Sequence, residues 1–122
     1  SADPSSDRLS TAAALQPLAA NQDFGQEREL MPDNFLDICC FGFTGGSIAW
    51  PDSGVRLRFD PADNCRHLVL FNPEKPYFAV EPVLNANDGV NLLARGDRTA
   101  GTVVLPPGET LSSHCDLTLE TT

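Results

Sequence analysis

The sequence predicts an all-β fold, an antiparallel β-sandwich or barrel. Two observations carry that prediction. From Leu36 onward, short runs alternate apolar and polar residues, most cleanly over Val55–Asp60 and Leu111–Glu120. Between the runs stand turn signals, Gly45-Gly46, Pro51-Asp-Ser-Gly54 and Pro61-Ala-Asp-Asn64. The chain has 122 residues, 41% of them hydrophobic, which suits one small domain. It contains no internal repeat and no low-complexity tract.

Residues 1–35 read as an irregular N-terminal segment and residues 36–122 as the β portion. In the first, Thr11–Gln16 has the composition of one or two helical turns before Pro17. Asn21–Leu30 reads as a loop anchored by Phe24 and Leu30. In the β portion, Leu36, Ile38 and Cys40 share one face of the first strand, and Asp37, Cys39, Phe41 and Phe43 the other. Ser47–Trp50 follows as a short strand, with Trp50 expected to pack in the core. Val55, Leu57 and Phe59 point inward against Arg56, Arg58 and Asp60. Arg66–Phe71 and Tyr77–Glu81 make two more strands. In the last, Leu111, Ser113, Cys115, Leu117 and Leu119 share a face.

The net charge is −9 and the isoelectric point about 4.4. So acidic a chain repels phosphate backbones, which argues against nucleic acid and membrane surfaces as partners. No apolar run reaches the length of a membrane helix, and the polar start Ser1–Arg8 does not read as an uncleaved signal peptide. The chain begins with Ser1 and its only methionine is Met31, so it is expected to be processed or part of a longer protein. Cys39, Cys40, Cys65 and Cys115 form no C-x-x-C pair and read as reduced, mostly buried thiols of a cytoplasmic protein.

One stretch carries the chemistry: Phe78-Ala-Val-Glu-Pro-Val-Leu-Asn-Ala-Asn-Asp-Gly-Val-Asn91. It starts as a strand, and Pro82 holds Glu81 extended. A carboxylate therefore projects from a stiff support. Asn85, Asn87 and Asp88-Gly89 follow as a turn that tolerates positive φ. A carboxylate beside an amide-rich loop suits a polyhydroxylated ligand. The plainer reading of the same residues is a hairpin with a solvated Glu81, its amides bonding their own backbone.

Val80-Glu-Pro-Val-Leu-Asn-Ala-Asn-Asp-Gly-Val-Asn-Leu-Leu-Ala-Arg-Gly96 resembles the C-terminal signature of the aldose 1-epimerase (galactose mutarotase-like) family. Val104-Leu-Pro-Pro-Gly-Glu-Thr-Leu111 resembles that family's closing turn. Leu36-Asp-Ile-Cys-Cys-Phe-Gly-Phe-Thr-Gly45 with Ile48-Ala-Trp-Pro51 is similar to the segment whose Asp bonds sugar hydroxyls. The resemblance runs from about Asp23 to Leu119. It implies the antiparallel supersandwich of that family and interconversion of the α and β anomers of a hexose, with no cofactor. It makes Glu81 the catalytic base and Asp37 a ligand of the monosaccharide. Asn85, Asn87 and Asp88 are further candidates to bond its hydroxyls, with bonding to their own backbone the equal alternative.

There are departures. Cys40 stands where an aromatic is usual, Thr44 where an acidic residue is common, and Asn85 where many members have histidine. One residue is missing between Gly45 and Ile48. The family's acid histidine lies in an N-terminal half that has no counterpart here. This chain alone is therefore expected to be a weak enzyme or none, with a second copy covering an exposed sheet face. A carbohydrate-binding or regulatory domain without turnover is the alternative, and a purely structural β module the third reading. His67 and His114 read as surface histidines. Asp60, Asp63 and Asn64 offer too few oxygens for a calcium loop, and no metal site is expected.

Overall fold

The computed structural model describes residues 15–121, and its regular structure is almost all strand. The strands are β1 (Leu36–Phe41), β2 (Gly46–Trp50), β3 (Val55–Pro61), β4 (His67–Lys75), β5 (Tyr77–Val83) and β6 (Cys115–Thr121). A short α-helix, α1 (Gly89–Ala94), and a 3-10 turn, Arg98–Ala100, lie between β5 and β6. Two antiparallel three-stranded sheets result, ordered β1-β4-β5 and β2-β3-β6. The all-β prediction is borne out.

The second sheet follows from its alternation. Ile48, Leu57 and Leu119 align across it, as do Gly46, Phe59 and Leu117. The arginines take the opposite face, where Arg58 pairs with Asp60 and Glu120, and Arg56 with Glu27. Gly54, at φ 64°, closes the β2–β3 turn by donating its N–H to Pro51 O. Phe59 is buried, but Trp50, Leu117 and Leu119 remain exposed on the apolar face. The expectation that Trp50 packs in the core is therefore corrected: it sits at the edge of that open face.

In the first sheet β4 is central. Its hairpin to β5 is irregular between Phe71 and Lys75, with Glu74 at φ 61°. Pro82 is tolerated inside β5 because β5 is an edge strand. Asn72 is buried, and its side-chain amide donates to Met31 O at 3.1 Å and Asn34 O at 2.9 Å. Those two bonds seat the chain just before β1. Phe24 and Leu30 are half-buried, as expected of anchors, and Arg28 lies over the Phe24 ring. The Thr11–Gln16 helical expectation lies largely outside the described residues.

The last strand starts at Cys115, four residues later than its alternation predicts. Its partner β3 ends at Pro61, opposite Cys115, so residues 111–114 have no ladder to join. Ser112 O accepts from the Asn64 amide instead, and Ser113 Oγ donates to Asn64 Oδ1. All four cysteines are free thiols; Cys65 is buried and the others half-buried. Among the described residues no helix is long and apolar enough to cross a membrane.

Candidate functional site

The site lies on one face of the β1-β4-β5 sheet. Asp37 is opposite Phe71, which is opposite Ala79; Cys39 is opposite Val69, which is opposite Glu81. Side chains directly opposite in a sheet share a face. Asp37 and Glu81 therefore rise from the same side, on the two outer strands, one row apart. Strand spacing places their Cα atoms roughly 12 Å apart.

Val83 ends β5, and the chain then folds back over this face as a rim. Asn85, Asn87 and Asp88 lie on the rim and, with Asp37 and Glu81, line one open cleft of about 640 Å³. Phe71 and Val69 form its apolar floor. All five residues singled out in the sequence thus converge on a single cleft.

Local bonds shape the rim. Asn85 Nδ2 donates to Ala86 O at 2.9 Å, and Asn91 Nδ2 to Asp88 Oδ1 at 2.6 Å. Asp88 adopts the left-handed conformation, φ 58°, which Asx residues tolerate. The expected Asp88-Gly89 turn is present, but it opens directly into α1 rather than a second hairpin strand. Leu92 of α1 is buried and anchors the rim. Gly89 is confined: a Cβ there would collide with Thr102 Oγ1 and come within 2.9 Å of Asn85 Nδ2.

Glu81 is exposed at the cleft wall, and Asp37 is half-buried. The Cys39 thiol meets the backbone N–H of Asn87. Burial pushes the Cys39 thiol pKa up, an effect the Asn87 N–H partly offsets. The sequence placed Cys39 on the face of Asp37 without linking it to the rim.

His67 overturns its surface expectation. It is only 3% exposed, with Nε2 2.8 Å from Thr99 O. The 99–101 segment crosses over β4 there, a long-range contact that alternation along one strand does not announce. His114 is exposed, as expected. Asp60 and Asn64 are engaged with Arg58 and with Ser112 and Ser113. Among the described residues no group of three or more His, Cys, Asp or Glu side chains is placed to hold a metal ion.

The arrangement offers carboxylate acceptors on two sides of an apolar floor and amides along the rim. Such a cleft can accept several hydroxyl hydrogen bonds and withdraw a proton from one of them. The chain matches no family model, no curated protein and no solved structure.

Proposed function

We propose that the cleft binds a neutral monosaccharide and that Glu81 acts in it as the general base of an aldose 1-epimerase-type reaction. One observation supports the reading: two stretches that each resemble a segment of that family bring Asp37 and, forty-four positions on, Glu81, together with Asn85, Asn87 and Asp88, into one cleft. The carboxylates disfavour phosphorylated sugars and leave neutral hydroxyls as the natural ligands.

The chemistry moves protons only. Glu81 takes the proton from the anomeric hydroxyl, the carbonyl forms at C1, and the bond from C1 to the ring oxygen breaks. The ring oxygen takes a proton as it leaves. Rotation about the bond between C1 and C2 and reclosure, with both proton transfers reversed, give the other anomer. Asp37 and the rim amides hold the remaining hydroxyls so that the reacting one stays within reach of Glu81. Among the described residues no histidine, lysine or arginine lines the cleft, so on this reading the proton for the ring oxygen comes from solvent or from a group outside that lining, and turnover is expected to be slow.

That same lining favours a second reading, sugar binding without turnover. Polarimetry of freshly dissolved α-D-glucose and α-D-galactose tests both, with Glu81→Gln as control. Acceleration that disappears in Glu81→Gln supports the base. Acceleration equal in the two proteins contradicts it. Binding with no acceleration in either selects the second reading.

A further inference from the structure

We propose that His67 is a positioning residue for the cleft: it clamps the 99–101 segment, which in turn holds the rim loop 84–90 in place. The clamp is a statement about the fold. Its consequence for ligand affinity rests on the sugar-binding reading above.

The contacts run in series. His67 begins β4, and its ring lies on the cleft face of the sheet between Phe41 and Val83, tilted 56° against the Phe41 ring with centroids 5.1 Å apart. Nε2 is 2.8 Å from Thr99 O. A carbonyl only accepts, so Nε2 carries the proton and donates it. The Thr99 carbonyl is aimed by a local brace: Asp97 Oδ1 accepts from Thr99 N at 2.9 Å and Thr99 Oγ1 at 2.6 Å.

The next residue, Ala100, is buried, and its carbonyl accepts from Ala86 N at 2.7 Å. Ala86 lines the cleft between Asn85 and Asn87. Gly101, at φ 77°, closes the stack: a Cβ there would lie 2.5 Å from Leu84 O and 2.9 Å from His67 Cε1. Ring, 99–101 segment and rim loop are thus in direct contact. On the far side of the rim, Asn87 N–H meets the Cys39 thiol.

The other ring nitrogen, Nδ1, is buried and finds no hydrogen-bond partner among the described residues. That is a cost an apolar side chain of the same size would not carry. What the imidazole supplies in exchange is the Nε2 donor, and through it the register of the rim.

The test compares wild type, His67→Phe, which keeps a ring and removes the donor, and His67→Gln, which restores an amide donor. The readouts are amide hydrogen exchange at Ala86 and the labelling rate of the Cys39 thiol. In His67→Phe, Ala86 is expected to exchange about tenfold faster, as one lost hydrogen bond implies, and Cys39 to label faster. His67→Gln is expected to stay within about threefold of wild type. Unchanged Ala86 exchange in a folded His67→Phe protein overturns the clamp. So does a rise spread evenly over the amides of both sheets, which marks a merely structural role. Should His67→Phe not fold, Gly101→Ala carries the test from the other side of the stack: it forces the 99–101 segment away from Leu84 and must also loosen Ala86. If wild type binds no hexose while His67→Phe still loosens Ala86, the clamp stands and the sugar reading falls.

Discussion

Asp37 and Glu81 face the same cleft from the two outer strands of one sheet, with Phe71 and Val69 of the central strand between them. The two carboxylates therefore act on different parts of any ligand that lies over that floor. Their loss is expected to read out differently. On the sugar-binding proposal, Asp37→Ala is expected to weaken hexose binding by about 1.5–3 kcal/mol, the size of charge-assisted hydrogen bonds. Glu81→Gln keeps an acceptor and a similar shape, so affinity changes little. Whatever acceleration of mutarotation the chain provides should fall in Glu81→Gln, by about 10²-fold or more for a positioned base. Isothermal titration and polarimetry on the same preparations separate the two effects.

The seating of β1 depends on Asn72. It is buried and donates from one amide nitrogen to the carbonyls of Met31 and Asn34. Asn72→Ala removes both bonds, leaving Met31 O only the Asn34 N–H, and should cost about 1–3 kcal/mol. The chemical-denaturation midpoint measures the loss. Limited proteolysis should then cut first within residues 23–35, before β1 and β4 open.

Alkaline pH should destabilise the fold through its thiols. Burial raises the pKa of Cys39, and burial followed by Cys39 and Asp23 raises that of Cys40. The folded state thus holds these protons more tightly than the unfolded chain. The resulting stability is present below the unfolded thiol pKa of about 8.5 and is lost as pH rises through the higher folded values. Denaturation midpoints should hold from neutral pH to about pH 8.5 and fall above it. The double variant Cys39→Ala, Cys40→Ala should flatten that fall.

The apolar face of the second sheet predicts self-association. Leu117 is 60% and Leu119 69% exposed, beside Trp50 on the same open face. Two copies with a net charge of −9 each repel, so association should strengthen with added salt, as screening predicts. Light scattering across a salt series should show the rise. Leu119→Lys should abolish it, whereas a monomer at every salt concentration contradicts the prediction.

The sequence made some of this legible because the information was local. The Val55–Pro61 strand alternates in the chain as it does in space, with Phe59 buried and Arg58 and Asp60 exposed. Glu81 before Pro82 could be placed on a strand, and positive φ at Asp88 was readable from its residue type. What joins Asp37 to Glu81 is not local: it is the register of two strands on β4, and no pattern within either strand encodes it. The burial of His67 arises in the same way, from a segment thirty-two residues downstream. α1 was masked by the turn signal Asp88-Gly89 that opens it. The late start of β6 reflects where its partner β3 stops, at Pro61.

The most direct test of the central claim is a two-dimensional amide NMR titration of the wild-type chain with D-galactose and D-glucose at millimolar concentrations. Sugar binding in the cleft gives saturable shifts confined to Asp37, Phe71, Glu81 and the rim residues 85–90, absent when Asp37→Ala and Glu81→Gln are combined. Shifts that are missing at saturating sugar, or that fall on the second sheet instead, would contradict it.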